Sequence, residues 1–341
     1  MSSIYRRILL FLMTGMLLAA CSGSRTPQAS PAPPDLPAET DSTPTVAPVP
    51  TATLTPLTPR LLFLAPQGLP FPYDALPARV DSAAAARGWQ VERQDAVPGV
   101  ALDASVQAVI TLPGAGDPLS LAEANPQAPF MLVGVSPDAA LPPNAVALDF
   151  SGASPENRAF LAGYIAALAT ADWRVGVIAD DPALVEAFRQ GAVYFCGLCR
   201  PAYPPFAAYP AYAEIPGGAS ADVWYSAFAA LSEQGVETVY IAPPLLEEEI
   251  PVTLLPDTDF RLITESPPPD ALSARWLASV YPDVPSAFDA AWDALLSGER
   301  GQRLPVPLTF AVGNPEWFSE GRQRLARQVA DALAEGAVSV R

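Results

Sequence analysis

The sequence predicts an α/β architecture of parallel sheets covered on both faces by helices, on three observations. Short, almost continuous apolar runs recur along the chain, among them residues 61–65 (LLFLA), 108–112 (AVITL) and 174–179 (RVGVIA). Strands buried on both faces read this way, whereas strands with one wet face alternate. Helical segments with their own start and stop signals lie between the runs, the order that builds parallel sheets. Half of the 341 residues are apolar, enough for a sizeable core.

The elements follow in order. After the strand at 61–65, residues 74–87 predict a helix stopped by Gly88, and 89–93 and 108–112 predict two more strands. Asp117-Pro118 opens a short helix, a cap followed by proline in the first turn. Strands at 130–135 and 145–150 precede a helix that Ser154-Pro155-Glu156 opens and that runs to about residue 170. Gly163 and the alanines at 162, 166, 167 and 169 give that helix a flat face, expected to lie against a sheet. The strand at 174–179 leads to Asp181-Pro182, which caps a helix running into Cys196. A helix at 221–234 and strands at 238–241, 261–264 and 276–280 continue the alternation. A helix at 285–297 stopped by Gly298, a strand at 308–312 and a helix at 319–334 close it.

The N-terminus is of another kind. Arg6 and Arg7 precede an apolar stretch over residues 8–20 that ends in LLAAC at Cys21. A basic region, a short apolar core and small residues at the cut describe a secretory signal, and the run is too short to span a bilayer comfortably. The LLAAC ending resembles the bacterial lipobox, which implies signal residues 1–20 and lipidation of Cys21. Residues 22–59 hold ten prolines among Thr, Ser and Ala, with no apolar periodicity. This composition predicts a disordered tether on the extracytoplasmic face of the bacterial envelope.

Composition narrows the chemistry. All 19 basic residues are arginines; the chain has neither histidine nor lysine. Ser-His-Asp and Cys-His catalysis, histidine ligation of metals, Schiff bases and the phosphate-loop lysine are thereby excluded. The net charge of −17 argues against nucleic acid, whose phosphates need clustered Arg and Lys. Cys196 and Cys199 stand two residues apart, a spacing open to a redox catalyst, half a zinc site or a staple. A redox thiol needs a helix N-terminus to lower its pKa, but this pair follows a helix end in an oxidising compartment. A short-loop disulfide is expected. No metal and no cofactor is expected, and the chain reads as a non-enzyme.

Three further stretches carry a family resemblance: ANPQAPFMLVGV from residue 124, ENRAFLAGYIAALATADWRVGVIADD from 156 and VEAFRQGAVYF from 185. They resemble the central block of the basic membrane protein family of lipid-anchored solute-binding proteins. The tail segments WLASVYPDVPSAFDAAWDALLSG and EWFSEGRQRLARQVADALAEGAVSV fit the family's order and spacing. The resemblance implies a two-lobed type I periplasmic-binding-protein-like fold, each lobe a mostly parallel sheet flanked by helices. It also implies an ABC permease as partner and a monomeric receptor, with a nucleoside as the first ligand class to consider. The expected boundaries are residues 60–150 with a returning segment near 276–310 for the first lobe, and 151–275 with 311–341 for the second. The sequence departs from the family where the ligand loops fall. The first reads PQGLPFPYD at 66–74, and the loop after residue 241 reads APPLLEEEIP.

In open parallel sheets, ligands bind beyond the carboxyl ends of the strands. That rule nominates Phe71, Tyr73 and Asp74, then Pro113, Gly114 and Asp117, and in the second lobe Asp180, Pro243 and Glu265. Phe71 and Tyr73 are suited to stacking on a base, and Asp74 or Asp180 to taking ribose hydroxyls. Glu247–Glu249 reads as a solvated charge run. Two other functions stay open: a sensor lipoprotein without a transporter, and an extracytoplasmic carboxylate hydrolase with two acids facing one cleft.

Overall fold

The computed structural model describes residues 57–96, 101–170, 172–198, 204, 206 and 209–340. The signal, Cys21 and almost all of the tether lie outside these residues, as does Cys199. The described elements belong to one compact unit, Thr55–Arg341.

The strands are β1 (Arg60–Leu64), β2 (Gln90–Gln94), β3 (Val106–Thr111), β4 (Phe130–Leu132), β5 (Ala145–Asp149), β6 (Val175–Ala179), β7 (Ala211–Glu214), β8 (Thr238–Ile241), β9 (Arg261–Thr264), β10 (Trp276–Pro282), β11 (Gln302–Pro305) and β12 (Leu308–Val312). The helices are α1 (Leu76–Ala85), α2 (Pro118–Ala124), α3 (Pro155–Ala169), α4 (Pro182–Phe195), α5 (Ala221–Glu233), α6 (Glu249–Leu254), α7 (Val284–Ser297) and α8 (Glu320–Ala334). They form two six-stranded sheets. The first has the order β11-β5-β4-β3-β1-β2 and is parallel throughout. The second has the order β12-β10-β9-β8-β6-β7, with only β12 antiparallel, against β10. Residues of β1, β3 and β6 are buried almost without exception, as continuous apolar runs require.

The chain crosses between the sheets three times: after β5, after β10 and after β11. The segment returning to the first sheet is shorter than expected. Strand β10 pairs with β9 in the second sheet, so only α7 and β11 return. Strands β7 and β11 were not expected. Both lie at sheet edges, where half-wet residues such as QRLP show no apolar run.

Three helix starts follow the caps read from sequence: Asp117 accepts from the Ser120 amide, Ser154 from Asn157 and Asp181 from Ala183. Asp283, which was not singled out, caps α7 by accepting from the Ser286 amide. Helix α3 lies against the second sheet as expected, in one core with residues of β6, β8, β9 and β10, and its Gly163 side also packs against α4. A Cβ on Gly163 would lie 2.0 Å from the Phe188 carbonyl oxygen, and one on Gly191 would lie 1.8 Å from that of Phe160. The two helices cross so closely that only glycine fits at either contact.

Candidate functional site

A cleft of about 730 Å³ opens between the carboxyl ends of the two sheets. One bank belongs to the first sheet: Phe71, Pro72 and Tyr73 after β1, and Phe150 after β5. The other belongs to the second sheet and to α3. It comprises Arg158, Pro243 and Leu246–Glu249 after β8, Val252 on α6, and Glu265–Pro269 after β9. The volume falls within the range of small-molecule sites.

The first bank is aromatic. Tyr73 lies 6.4 Å from Phe150, ring to ring, and Phe71 meets Tyr281 of β10 edge-on at 4.7 Å, a contact that spans the two sheets. Burial pushes the Tyr73 hydroxyl pKa up, with the Arg158 charge acting against it.

The floor of the second bank is an ion pair. Arg158 Nε donates to Glu265 Oε2 at 2.5 Å, and an Arg158 terminal nitrogen donates to the Ala153 carbonyl at 2.7 Å. Tyr240 donates its hydroxyl to Glu265 Oε1, also at 2.5 Å. The side chains of Arg158 and Glu265 are only 19% and 9% exposed, so the pair is largely desolvated. Burial raises the Glu265 pKa, while Arg158 and the Tyr240 hydrogen bond hold it down. Tyr240 is pushed well above the usual tyrosine range, first by burial and then by the Glu265 charge. Beneath it, the ring of Phe188 on α4 stacks at 5.8 Å, nearly parallel. A continuous line of contacts thus runs from the α3–α4 crossing to the cleft floor.

The loop after β9 is fixed as well. The Ser266 carbonyl accepts from Ser279 Oγ at 2.8 Å, and Trp276 Nε1 donates to the same hydroxyl at 3.0 Å. Glu248 Oε1 accepts from the Gly218 amide at 2.8 Å, which ties the acidic loop to the turn before α5.

Of the residues nominated from sequence, Phe71, Tyr73, Pro243 and Glu265 line this cleft. Asp74, Gly114, Asp117 and Asp180 do not, and all four are exposed. Asp117 is committed to its cap, where hydrogen bonds to Ser120 lower its pKa. Asp180 sits at the end of β6, next to β8, but is exposed and does not line the cleft. Sequence reasoning passed over Arg158 and Phe150. It took Glu247–Glu249 for a solvated run, and Glu247 and Glu249 are exposed, but all three also line the cleft. Arg158 carried a signal, a lone charge in the otherwise apolar segment AFLAGYIAALA that it precedes.

No protein-family model matches the chain, and no curated protein matches it. Among solved structures it is similar to an ABC transporter system solute-binding protein from Conexibacter woesei, at 14% identity and TM-score 0.53, over 83% of this chain and 98% of that one. It is also similar to an ABC transporter solute-binding protein from Aeropyrum pernix K1, at 14% identity and TM-score 0.50, over 83% and 93%. A transcriptional activator of the comK gene from Bacillus halodurans matches at 16% identity and TM-score 0.50, over 83% and 99%. At such identities the likeness is one of fold. The chain has the two-sheet α/β architecture of type I periplasmic-binding-like proteins.

Proposed function

We propose that this protein is the solute receptor of an ABC importer. It would be lipidated at Cys21, held by its proline-rich tether at the extracytoplasmic face of the bacterial envelope, and would bind one small organic solute in the interlobe cleft. The observation that carries the reading is the cleft itself, built from strand ends of both sheets, with aromatic rings on one bank and a desolvated Arg158–Glu265–Tyr240 cluster on the other. Two banks joined by three crossovers can close on a ligand, and a ligand that touches both favours the closed form. The finer reading, a nucleoside-type ligand of the basic membrane protein kind, rests on the sequence resemblance and on rings able to stack a base. The paired cysteines are proposed as a disulfide. The state of Cys196, which caps the end of α4 and is disulfide-bonded, supports this.

The test is binding. Purine and pyrimidine nucleosides, sugars and amino acids are screened against the protein for a rise in unfolding temperature. A true ligand adds about 2.7 kcal/mol of stability at a hundredfold excess over its dissociation constant. Ligand recovered unchanged after incubation separates a receptor from a carboxylate hydrolase, a reading that the four glutamates in the cleft keep in competition. Co-purification of a permease separates an importer subunit from a sensor. If no compound shifts the melt, the receptor reading fails.

A further inference from the structure

We infer that the cleft selects its solute by charge, taking an organic cation, an amine or comparable nitrogen cation on a ring or apolar body, ahead of its neutral analogue and well ahead of a phosphorylated one. The inference rests on the solute-receptor reading above and adds to it the class of ligand.

The charges lining the cleft are unequal. Among the described residues, Arg158 is the one basic side chain there, against Glu247, Glu248, Glu249 and Glu265. Arg158 is not available to an incoming anion as a full charge. Its Nε is bound to Glu265, another nitrogen is bound to the Ala153 carbonyl, and the Glu265 charge cancels its own at contact distance. Tyr240 occupies the second oxygen of Glu265, so this cluster is satisfied within itself. Three carboxylates are left over. Glu248 is held by a neutral donor, the Gly218 amide, which fixes its position and leaves its charge in place.

The opposite bank reinforces the bias. Phe71, Tyr73 and Phe150 line it, and the face of an aromatic ring is the negative side of its quadrupole, which attracts a cation and repels an anion. The chain as a whole carries −17, so an approaching anion is repelled before it reaches the cleft. Phosphate and carboxylate sites are built from forked arginines or converging backbone amides. The only arginine of this cleft is already paired. Each carboxylate within about 4 Å of a ligand charge changes affinity on the order of fivefold in a water-like medium. Three at that distance would separate a cation from its neutral analogue by at most roughly two orders of magnitude, and solvent around the exposed Glu247 and Glu249 reduces this.

The experiment uses two sets of probes that share a body and differ in the charge of one substituent at one position: 5′-amino-5′-deoxyadenosine, adenosine and adenosine 5′-monophosphate; and 6-amino-6-deoxyglucose, glucose and glucose 6-phosphate. Binding of each to the full-length protein in neutral detergent is measured by calorimetry at low and at high salt. In whichever set binds, the amino compound is expected to be tightest and the phosphate at least about tenfold weaker than the neutral member, with the spread shrinking as salt rises. Glu247→Gln with Glu249→Gln should narrow the amino-to-phosphate ratio by about tenfold, weakening the amine and strengthening the phosphate relative to the neutral member. A phosphate that binds as tightly as its neutral parent, or an amine that gains nothing, overturns the charge selection while leaving the receptor reading intact. Six silent probes count against the receptor reading itself, and the inference falls with it.

Discussion

The two banks of the cleft occupy equivalent places, beyond the carboxyl ends of two parallel sheets, yet they carry different chemistry. The first contributes Phe71, Tyr73 and Phe150 and no charge; the second contributes Arg158 and four glutamates. The first is inexpensive to build, because half-buried rings pack on one another and on the core below. The second is costly, since a desolvated ion pair needs near-complete satisfaction to be tolerated. Arg158, Glu265 and Tyr240 meet that condition among themselves, on a base set by the stacked Phe188. The difference assigns separate tasks: the aromatic bank holds the body of a solute, and the charged bank decides which polar end is admitted.

The largest effect should come from breaking the charged bank. Arg158→Ala leaves Glu265 buried without its counter-charge, and loss of about 3–5 kcal/mol of unfolding free energy is expected. Denaturant titration reads this as a lower midpoint at unchanged slope. Replacing both partners, Arg158→Met with Glu265→Met, should recover most of the loss, because no charge is then stranded. A double variant as weak as the single one would show that the pair contributes more than mutual neutralisation.

The aromatic bank should respond more mildly, and in binding more than in folding. Phe71→Ala removes the edge-on contact with Tyr281 and one wall of the cleft, so ligand affinity should fall about fivefold. The same substitution should lower stability by only ~1 kcal/mol. If stability collapses instead, Phe71 belongs to the core rather than to the site, and the division between banks is lost.

The legibility of the molecule follows the same division. The strands and capped helices were readable because burial on both faces leaves continuous apolar runs, and because Asp117, Ser154 and Asp181 each stand one residue before a proline. Phe71 and Tyr73 were readable because a strand end predicts a ligand loop. Arg158 was not, since only folding brings a residue in the first turn of α3 to Glu265, 107 positions later. Glu247–Glu249 was unreadable for a different reason: a run of acids looks the same in sequence whether it faces bulk water or a cleft. Gly163 was seen as a packing residue but its contact with α4 was missed, because its reciprocal glycine, Gly191, lies on another helix.

Titration separates the charged bank from ordinary surface charge. Burial raises the Glu265 pKa in the folded state, so folding favours its protonated form. The stability it contributes is present below the unfolded value of 4.5 and is lost as pH rises through the folded pKa. Glu186, on the exposed face of α4, goes the other way. Its hydrogen bonds to Arg189 and Gln190 hold it at about 2, so its contribution is present above 4.5 and is lost as pH falls toward 2. Stability–pH profiles of Glu265→Gln and Glu186→Gln, each taken as a difference from the parent, should therefore slope in opposite directions. A flat profile for Glu265→Gln would mean that Glu265 is solvated, and a slope parallel to that of Glu186→Gln would mean that Arg158 outweighs burial there.

The smallest expected effect is the sharpest test of where the charged bank ends. Asp180 follows β6 as Glu265 follows β9, so the strand-end rule alone gives both residues the same standing. The structure separates them. The bank is drawn from the ends of β8, β9 and β10, whereas β6 lies between β8 and β7 toward the far edge of the sheet, and Asp180 is exposed. A solvated carboxylate outside the cleft contributes little to folding, so Asp180→Ala should change stability by no more than ~0.5 kcal/mol. Ligand affinity should stay within about twofold, because Asp180 is exposed to water and does not line the cleft. Calorimetry on this variant beside Phe71→Ala decides the matter. Abolished binding in Asp180→Ala would extend the bank to β6 and move the solute toward the β7 edge of the second sheet.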